Sequence, residues 1–327
     1  MKRRGRRLQR VLHLPQCRLV SARGRTRTML LAAGAAALLA LPAASAHGAG
    51  AGKAADDVSV QIQGNPSRVD LLKKVFVKGV LTNPGPTDNV FITVSASGRE
   101  LFRKKISPKP DGSLKMPLEV NACCRYVIEA ENAGKRGSTA FKVDVPKKLS
   151  KGPVARLFNR SLQGQGFHTG TKGSRVTFGT RLAIKAFRKT NGMARSYSYR
   201  RSIFQKLLMD KGAFEPRYDE GHHVEVDISR QVMSLVQGNR SVHTFHVSTG
   251  ASATPTVRGK YTFYMKQPGY NSKGMYYSAY FIRGYATHGY HTVPNYPASH
   301  GCLRNPVSFS RFIYNWVDIG MPIYVYN

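Results

Sequence analysis

Acidic residues are scarce. The 327-residue chain has 17 Asp and Glu against 51 Lys and Arg, a formal net charge of +34. Such a surface draws polyanions by long-range steering, and charge alone does not choose among nucleic acid, anionic wall polymers and lipid headgroups. Cysteine is rare too, with four in the chain. No zinc-finger or single-strand-binding pattern is present, which argues against nucleic acid as partner. The apolar run from Met29 to Leu41 is shorter than the roughly 20 residues a membrane-spanning helix needs. Hydrophobic residues still make up 41% of the chain and aromatics 10%, enough for packed cores, and the length suits two to three domains.

The N-terminus narrows the choice of partner. Residues 1–28 carry ten basic side chains and no acid, then come the apolar run, Pro42 and the small-residue site Ala44-Ser45-Ala46. That order predicts an export signal over residues 1–46 and an extracytoplasmic, wall-associated or secreted protein. No cysteine follows the apolar run, so a lipoprotein anchor is not indicated. Cleavage leaves 41 basic and 17 acidic residues, a formal +24, so the charge belongs to the mature chain. An anionic cell envelope, wall polymer or membrane surface, is the expected partner. Three cysteines remain, Cys123, Cys124 and Cys302. The adjacent pair forms a vicinal disulfide or stays reduced, and either way Cys302 lacks an obvious partner. A lone thiol outside the cytosol is a candidate nucleophile, and a buried inert cysteine is the alternative.

Three segments follow a small-residue linker. Residues 56–147 show short alternating strands (Val58, Val60, Ile62; Val75, Val77; Ile92, Val94; Tyr126, Ile128; Phe141, Val143, Val145). Turn signals at Pro84-Gly85-Pro86, Pro110-Asp111-Gly112 and Ala133-Gly134 separate them, predicting an immunoglobulin-like β-sandwich. Residues 153–212 switch to helical spacing: a short helix at Leu157–Leu162, one capped by Thr180, and one running from Ser198 to Gly212. Residues 220–327 return to strands, with one helix on the stripe Phe309, Phe312, Ile313, Trp316, Val317, for which Asn305 is the expected cap and Pro306 the first position. The expected fold class is multidomain and mainly β. His222, His223, His243 and His246 fall on strands and read as surface or packing histidines. The cluster Tyr276, Tyr277, Tyr280, Tyr285 and Tyr290 suits core filling or glycan stacking, and no role is assigned to it.

The chemistry concentrates in Thr287-His288-Gly289-Tyr290-His291 and Ser299-His300-Gly301-Cys302-Leu303-Arg304. An imidazole beside a thiol makes a thiolate nucleophile available at neutral pH. A glycine before the nucleophile permits a tight turn that aims backbone amides at a developing oxyanion. A helix starting just after Cys302 adds a partial positive charge that favours thiolate.

These residues resemble the catalytic domain of the L,D-transpeptidases, the YkuD family, whose motif is His, a spacer, then Ser/Thr-His-Gly-Cys, a hydrophobic residue and Arg or Asn. The resemblance extends to Asp227-Ile228-Ser229-Arg230-Gln231, Ser248-Thr249-Gly250, Thr254-Pro255-Thr256 with Gly259, and the closing strand Gly320 to Tyr326. It spans about a third of the chain. Upstream, Gly166-Phe167, Gly170, Phe178-Gly179-Thr180 and Ala186-Phe187 partly resemble a peptidoglycan-binding-like three-helix module, with Arg188 where that module usually has glutamine.

The resemblance implies Cys302 as nucleophile and His288 as general base, its ring oriented by the Gly289 carbonyl. Amides of His300, Gly301 and Cys302 would line the oxyanion hole, with Arg304 and Ser299 on the substrate side. His291 is a rival base. The implied reaction is peptidoglycan biosynthesis by acyl transfer: attack on the third residue of a stem peptide, loss of the terminal D-alanine, and transfer to a neighbouring amine as a 3→3 cross-link. No cofactor and no metal is implied. Water as acceptor would make an L,D-carboxypeptidase or murein hydrolase of the same scaffold. Two other readings compete: a zinc site from His288, His291, His300 and Cys302, and a non-catalytic wall-binding protein.

Overall fold

A computed structural model of the chain describes residues 58–327. The predicted export signal lies outside them. The first eight strands are β1 (Val58–Ile62), β2 (Arg68–Asp70), β3 (Lys74–Leu81), β4 (Val90–Ala96), β5 (Arg99–Ile106), β6 (Ser113–Glu119), β7 (Arg125–Asn132) and β8 (Lys135–Asp144). They form a three-stranded sheet, β1-β3-β6, and a five-stranded sheet, β2-β8-β7-β4-β5. Val58, Val60 and Ile62 are buried and Ser59 and Gln61 between them exposed because the strand period is two, and the buried face shares a core with Ile92, Val94, Tyr126 and Ile128 of the other sheet. The Tyr126 hydroxyl accepts from the Asn121 and Ala122 amides at 3.1 and 3.0 Å, satisfying donors where the chain enters β7. Cys123 and Cys124 are joined as a disulfide, leaving Cys302 free.

Three helices follow: α1 (Pro153–Gly164), α2 (Phe178–Thr190) and α3 (Arg201–Leu208). Pro153 suits the first turn, where its missing N–H costs nothing. The cap of α2 is Thr177 rather than Thr180: Thr177 accepts from the Thr180 amide at 3.2 Å, and the Thr180 hydroxyl accepts in return from the Thr177 amide at 3.1 Å. Ser198 is not the cap of α3 either. That helix begins three residues later, after extended Arg200, with no side-chain cap.

The remaining strands are β9 (His222–Asp227), β10 (Val232–Gln237), β11 (Arg240–His246), β12 (Gly259–Thr262), β13 (Met265–Tyr270), β14 (Tyr276–Ile282), β15 (Tyr285–Tyr290), β16 (Leu303–Pro306) and β17 (Pro322–Tyr326), with α4 (Val307–Trp316) between the last two. They make two sheets, β11-β10-β9-β17-β12 and β13-β14-β15-β16. Val224, Val226, Met233, Leu235 and Ile323 of the first share a core with Ala279, Phe281 and Leu303 of the second, and Phe309 and Ile313 of α4, with Val317 just after it, close it. The tyrosine-dense segment becomes β14 and β15.

Helix α2 ties the two halves together. The Lys189 side chain, 2% exposed, donates from Nζ to the carbonyls of Gln231 and Val247 at 3.1 and 2.9 Å, and Nζ lies 3.0 Å from Nδ1 of His246. Arg195 adds bonds to Asn295 O at 2.6 Å and Ser229 O at 2.8 Å. Among the described residues the mainly β architecture with four helices agrees with the expected fold class.

Candidate active site

Strands β15 and β16 run parallel, with His288 opposite Arg304 and Thr287 opposite Leu303. Cys302, one residue before β16, therefore lies beside Ala286, whose backbone amide favours the thiolate form. Side chains two apart on a strand share a face, so Cys302 and Arg304 look the same way, as do Ala286 and His288. The result is a cavity of 450 Å³ lined by His288, Cys302, Arg304, Tyr285, Lys273 and Met275, among others. The last two come from the turn between β13 and β14, and no sequence pattern marked them.

The loop before Cys302 is fixed by hydroxyls. Ser248 and Arg304 exchange backbone hydrogen bonds at 2.9 Å, and the Ala251 amide donates to Ser299 O at 2.8 Å. Thr254 Oγ1 donates to Ser299 O at 3.0 Å, and Thr256 Oγ1 to Gly301 O at 2.8 Å. These are the Ser-Thr-Gly and Thr-Pro-Thr residues singled out in the sequence. Ser299 Oγ donates to Cys302 O at 2.6 Å and accepts from the Gly301 amide at 3.1 Å. The Gly301 amide is thus engaged by the Ser299 hydroxyl. The amides of His300 and Cys302 have no acceptor among the described residues. Gly301 itself has φ +108°, and a Cβ there would sit 2.6 Å from the Tyr285 ring. That position admits no side chain.

His288 is 3% exposed, and its Nδ1 lies 2.9 Å from Gly289 O. A carbonyl only accepts, so Nδ1 carries the proton and Nε2 is left as the basic atom. Burial pushes the imidazole down to about 4, against the raising effect of the Gly289 carbonyl, while the Arg304 charge also lowers it. Burial likewise raises the Cys302 thiol, which donates to Gly284 O at 3.7 Å. Burial thus disfavours the charged form of both groups, and it works against the Ala286 amide and the Arg304 and Lys273 charges that favour a thiolate. The helix contribution fails, because β16 separates Cys302 from α4, and a helix dipole acts only within about a turn. The N-cap is Pro306, one residue later than predicted.

Gly289 admits α4. A Cβ at Gly289 would meet Ser310 Oγ at 2.0 Å, and that hydroxyl donates to Asn305 Oδ1 at 2.8 Å. Arg304 stacks over Tyr290 at 4.2 Å. His291 and His300 are exposed. Among the described residues, no three His, Cys, Asp or Glu side chains are grouped to hold a metal, so the four zinc-ligand candidates do not form a ligand set.

Residues 221–325 match the YkuD family, the L,D-transpeptidase catalytic domain. The C-terminal region is an L,D-transpeptidase domain. Enzymes of this class act on the stem peptides of peptidoglycan. Among solved structures, the chain is similar to the L,D-transpeptidase of Xylanimonas cellulosilytica, 27% identical over 55% of this chain and 97% of that one, with a TM-score of 0.51. An L,D-transpeptidase of Stackebrandtia nassauensis is 22% identical over 56% of this chain and 95% of that one, at TM-score 0.35. One from Mycobacterium smegmatis is 13% identical over 83% and 99%, at 0.30. No curated protein matches the chain. The motif from Ser299 to Arg304 and the strand bearing His288 both fall inside the matched transpeptidase domain.

Proposed function

We propose that the chain works outside the cytoplasm and forms 3→3 peptidoglycan cross-links through a thioester on Cys302. The observation that supports this most is the shared cavity of Cys302 and His288, with Nδ1 of the imidazole tied to Gly289 O and Nε2 left basic. In the first step Nε2 takes the thiol proton as sulfur attacks the carbonyl carbon of the third stem residue. The oxyanion finds the uncommitted amides of His300 and Cys302. The C–N bond to D-alanine breaks, and the leaving amine takes the proton back from Nε2. In the second step an amine of a neighbouring stem gives its proton to Nε2 and attacks the thioester. Sulfur leaves and is reprotonated, which restores the neutral pair. Arg304 and Ser299 hold the substrate side and the loop.

The test is mass spectrometry after incubation with a tetrapeptide-stem donor or a carbapenem, wild type beside Cys302→Ala. The wild type should gain one acyl adduct and the variant none; an adduct on both proteins removes Cys302 from the mechanism. Adding an acceptor stem should convert the donor adduct to cross-linked dimer. Release of free tripeptide alone would make the enzyme a carboxypeptidase.

A further inference from the structure

A second cavity, of 730 Å³, is larger than the one at Cys302 and shares no lining residue with it. It lies where α1 and the loop after it meet β11, and its charged and titratable walls are Arg160, Lys172, His168 and His243. No Asp or Glu lines it. Among the described residues neither Arg160 nor Lys172 has a carboxylate partner. Unpaired cations gathered at a concave site repel one another and focus their field into it.

The loop that carries Lys172 is braced rather than slack. Gln163 of α1 donates to Thr171 O at 2.8 Å, and Asn159 of α1 donates to Gly173 O and Arg175 O at 2.8 and 2.9 Å. The two histidines are equally fixed. Their Nδ1 atoms are 3.3 Å apart, and both rings pack on Phe312 of α4, at 4.2 and 4.7 Å. Burial lowers both imidazoles, His168 to about 4. At neutral pH one Nδ1 donates to the other, so one Nε2–H is left as a further donor.

We propose that this cavity binds a phosphodiester segment of an anionic polyol-phosphate chain. A guanidinium and an ammonium at one mouth suit an anion with several acceptor oxygens. The volume exceeds what a single phosphate fills and falls in the range of sites that enclose extended ligands. The site is separate from the Cys302 chemistry, and its occupancy does not depend on turnover.

The test is fluorescence anisotropy of a labelled glycerol-phosphate hexamer with the purified full chain at fixed ionic strength. Binding should saturate, and Arg160→Ala with Lys172→Ala should weaken it tenfold or more. Lys104→Ala with Lys105→Ala, which removes equal charge from exposed β5, should weaken it less than twofold. Cys302→Ala should bind as wild type does, which separates this site from the acyl-transfer reading. Inorganic phosphate should compete only at much higher concentration than unlabelled hexamer. Equal losses from the two double variants would overturn the proposal by reducing it to general charge. So would a glutamate hexamer that binds as tightly and with the same sensitivity to Arg160 and Lys172, since the ligand would then be a carboxylate.

Discussion

At Cys302 the decisive quantity is how much charge the pocket tolerates before substrate arrives. Burial raises the thiol and lowers the imidazole of His288 to about 4, so proton transfer belongs to the attack and does not precede it. Alkylation by iodoacetamide reads this directly. Its rate on the free enzyme should rise about tenfold per pH unit from 6 to 8, as for an ordinary thiol. A fast, flat rate across that range would mean a standing ion pair. Turnover should behave differently, because it needs only neutral His288. The acidic limb of kcat/KM should fall near pH 4, well below the usual histidine range. His288→Ala should cost at least a hundredfold in kcat, whereas His291→Ala, on an exposed ring that does not line the cavity, should stay within threefold of wild type. The reverse order would make His291 the base. Gly301→Ala meets both a left-handed backbone and the Tyr285 ring, so it should lose activity and lower the melting temperature together.

One scale up, the catalytic strand and α4 meet at Gly289 and Ser310. A methyl group at residue 289 overlaps the Ser310 hydroxyl, so Gly289→Ala should destabilise the protein by about 1–3 kcal/mol, as overpacking does. Ser310→Gly alone loses the bond to Asn305 and some helix propensity. The pair should be less damaging than the sum of the singles by about 1 kcal/mol or more. Additive melting shifts would show that α4 does not press on β15 there. This contact also marks where sequence reading stops. The motif from Ser299 to Arg304 is contiguous and so legible, and alternation in β1 and β4 is legible because one face of each is buried. Strand β5 went unread because it is exposed along nearly all its length, which leaves no alternation to detect. Lys273, Met275, Gly284 and Ala286 reach the site through tertiary pairing, which spacing does not encode. The burial that opposes a thiolate at Cys302 is hidden from the sequence for the same reason, being a property of the fold.

For the molecule as a whole, buried histidines set the response to acid. Burial lowers His168 and His288 to about 4, and His246, 2% exposed, falls well below its usual value. Unfolded, each titrates near 6.5. Between those values the unfolded chain binds more protons, so the stabilisation is complete above pH 6.5 and is lost as pH falls toward 4. For His288 alone the span corresponds to about 3 kcal/mol. Lys189, which burial lowers to about 6, adds a trend of the same sign at higher pH, since its unfolded form holds a proton up to about 10.5. Two of these groups, His246 and Lys189, lie where α2 meets the transpeptidase domain, and His168 lies where the loop after α1 meets β11 and α4. Acid should therefore loosen that joint before the two-sheet core of β1–β8, whose buried face carries no histidine. Hydrogen exchange should show the amides of α2 and β11 losing protection between pH 6 and 4.5 while those of β4 and β7 keep theirs. Urea midpoints should fall over the same interval. A midpoint that stays level on acidification, or a β4–β7 core that opens first, would mean that these buried imidazoles do not govern the stability of the joint.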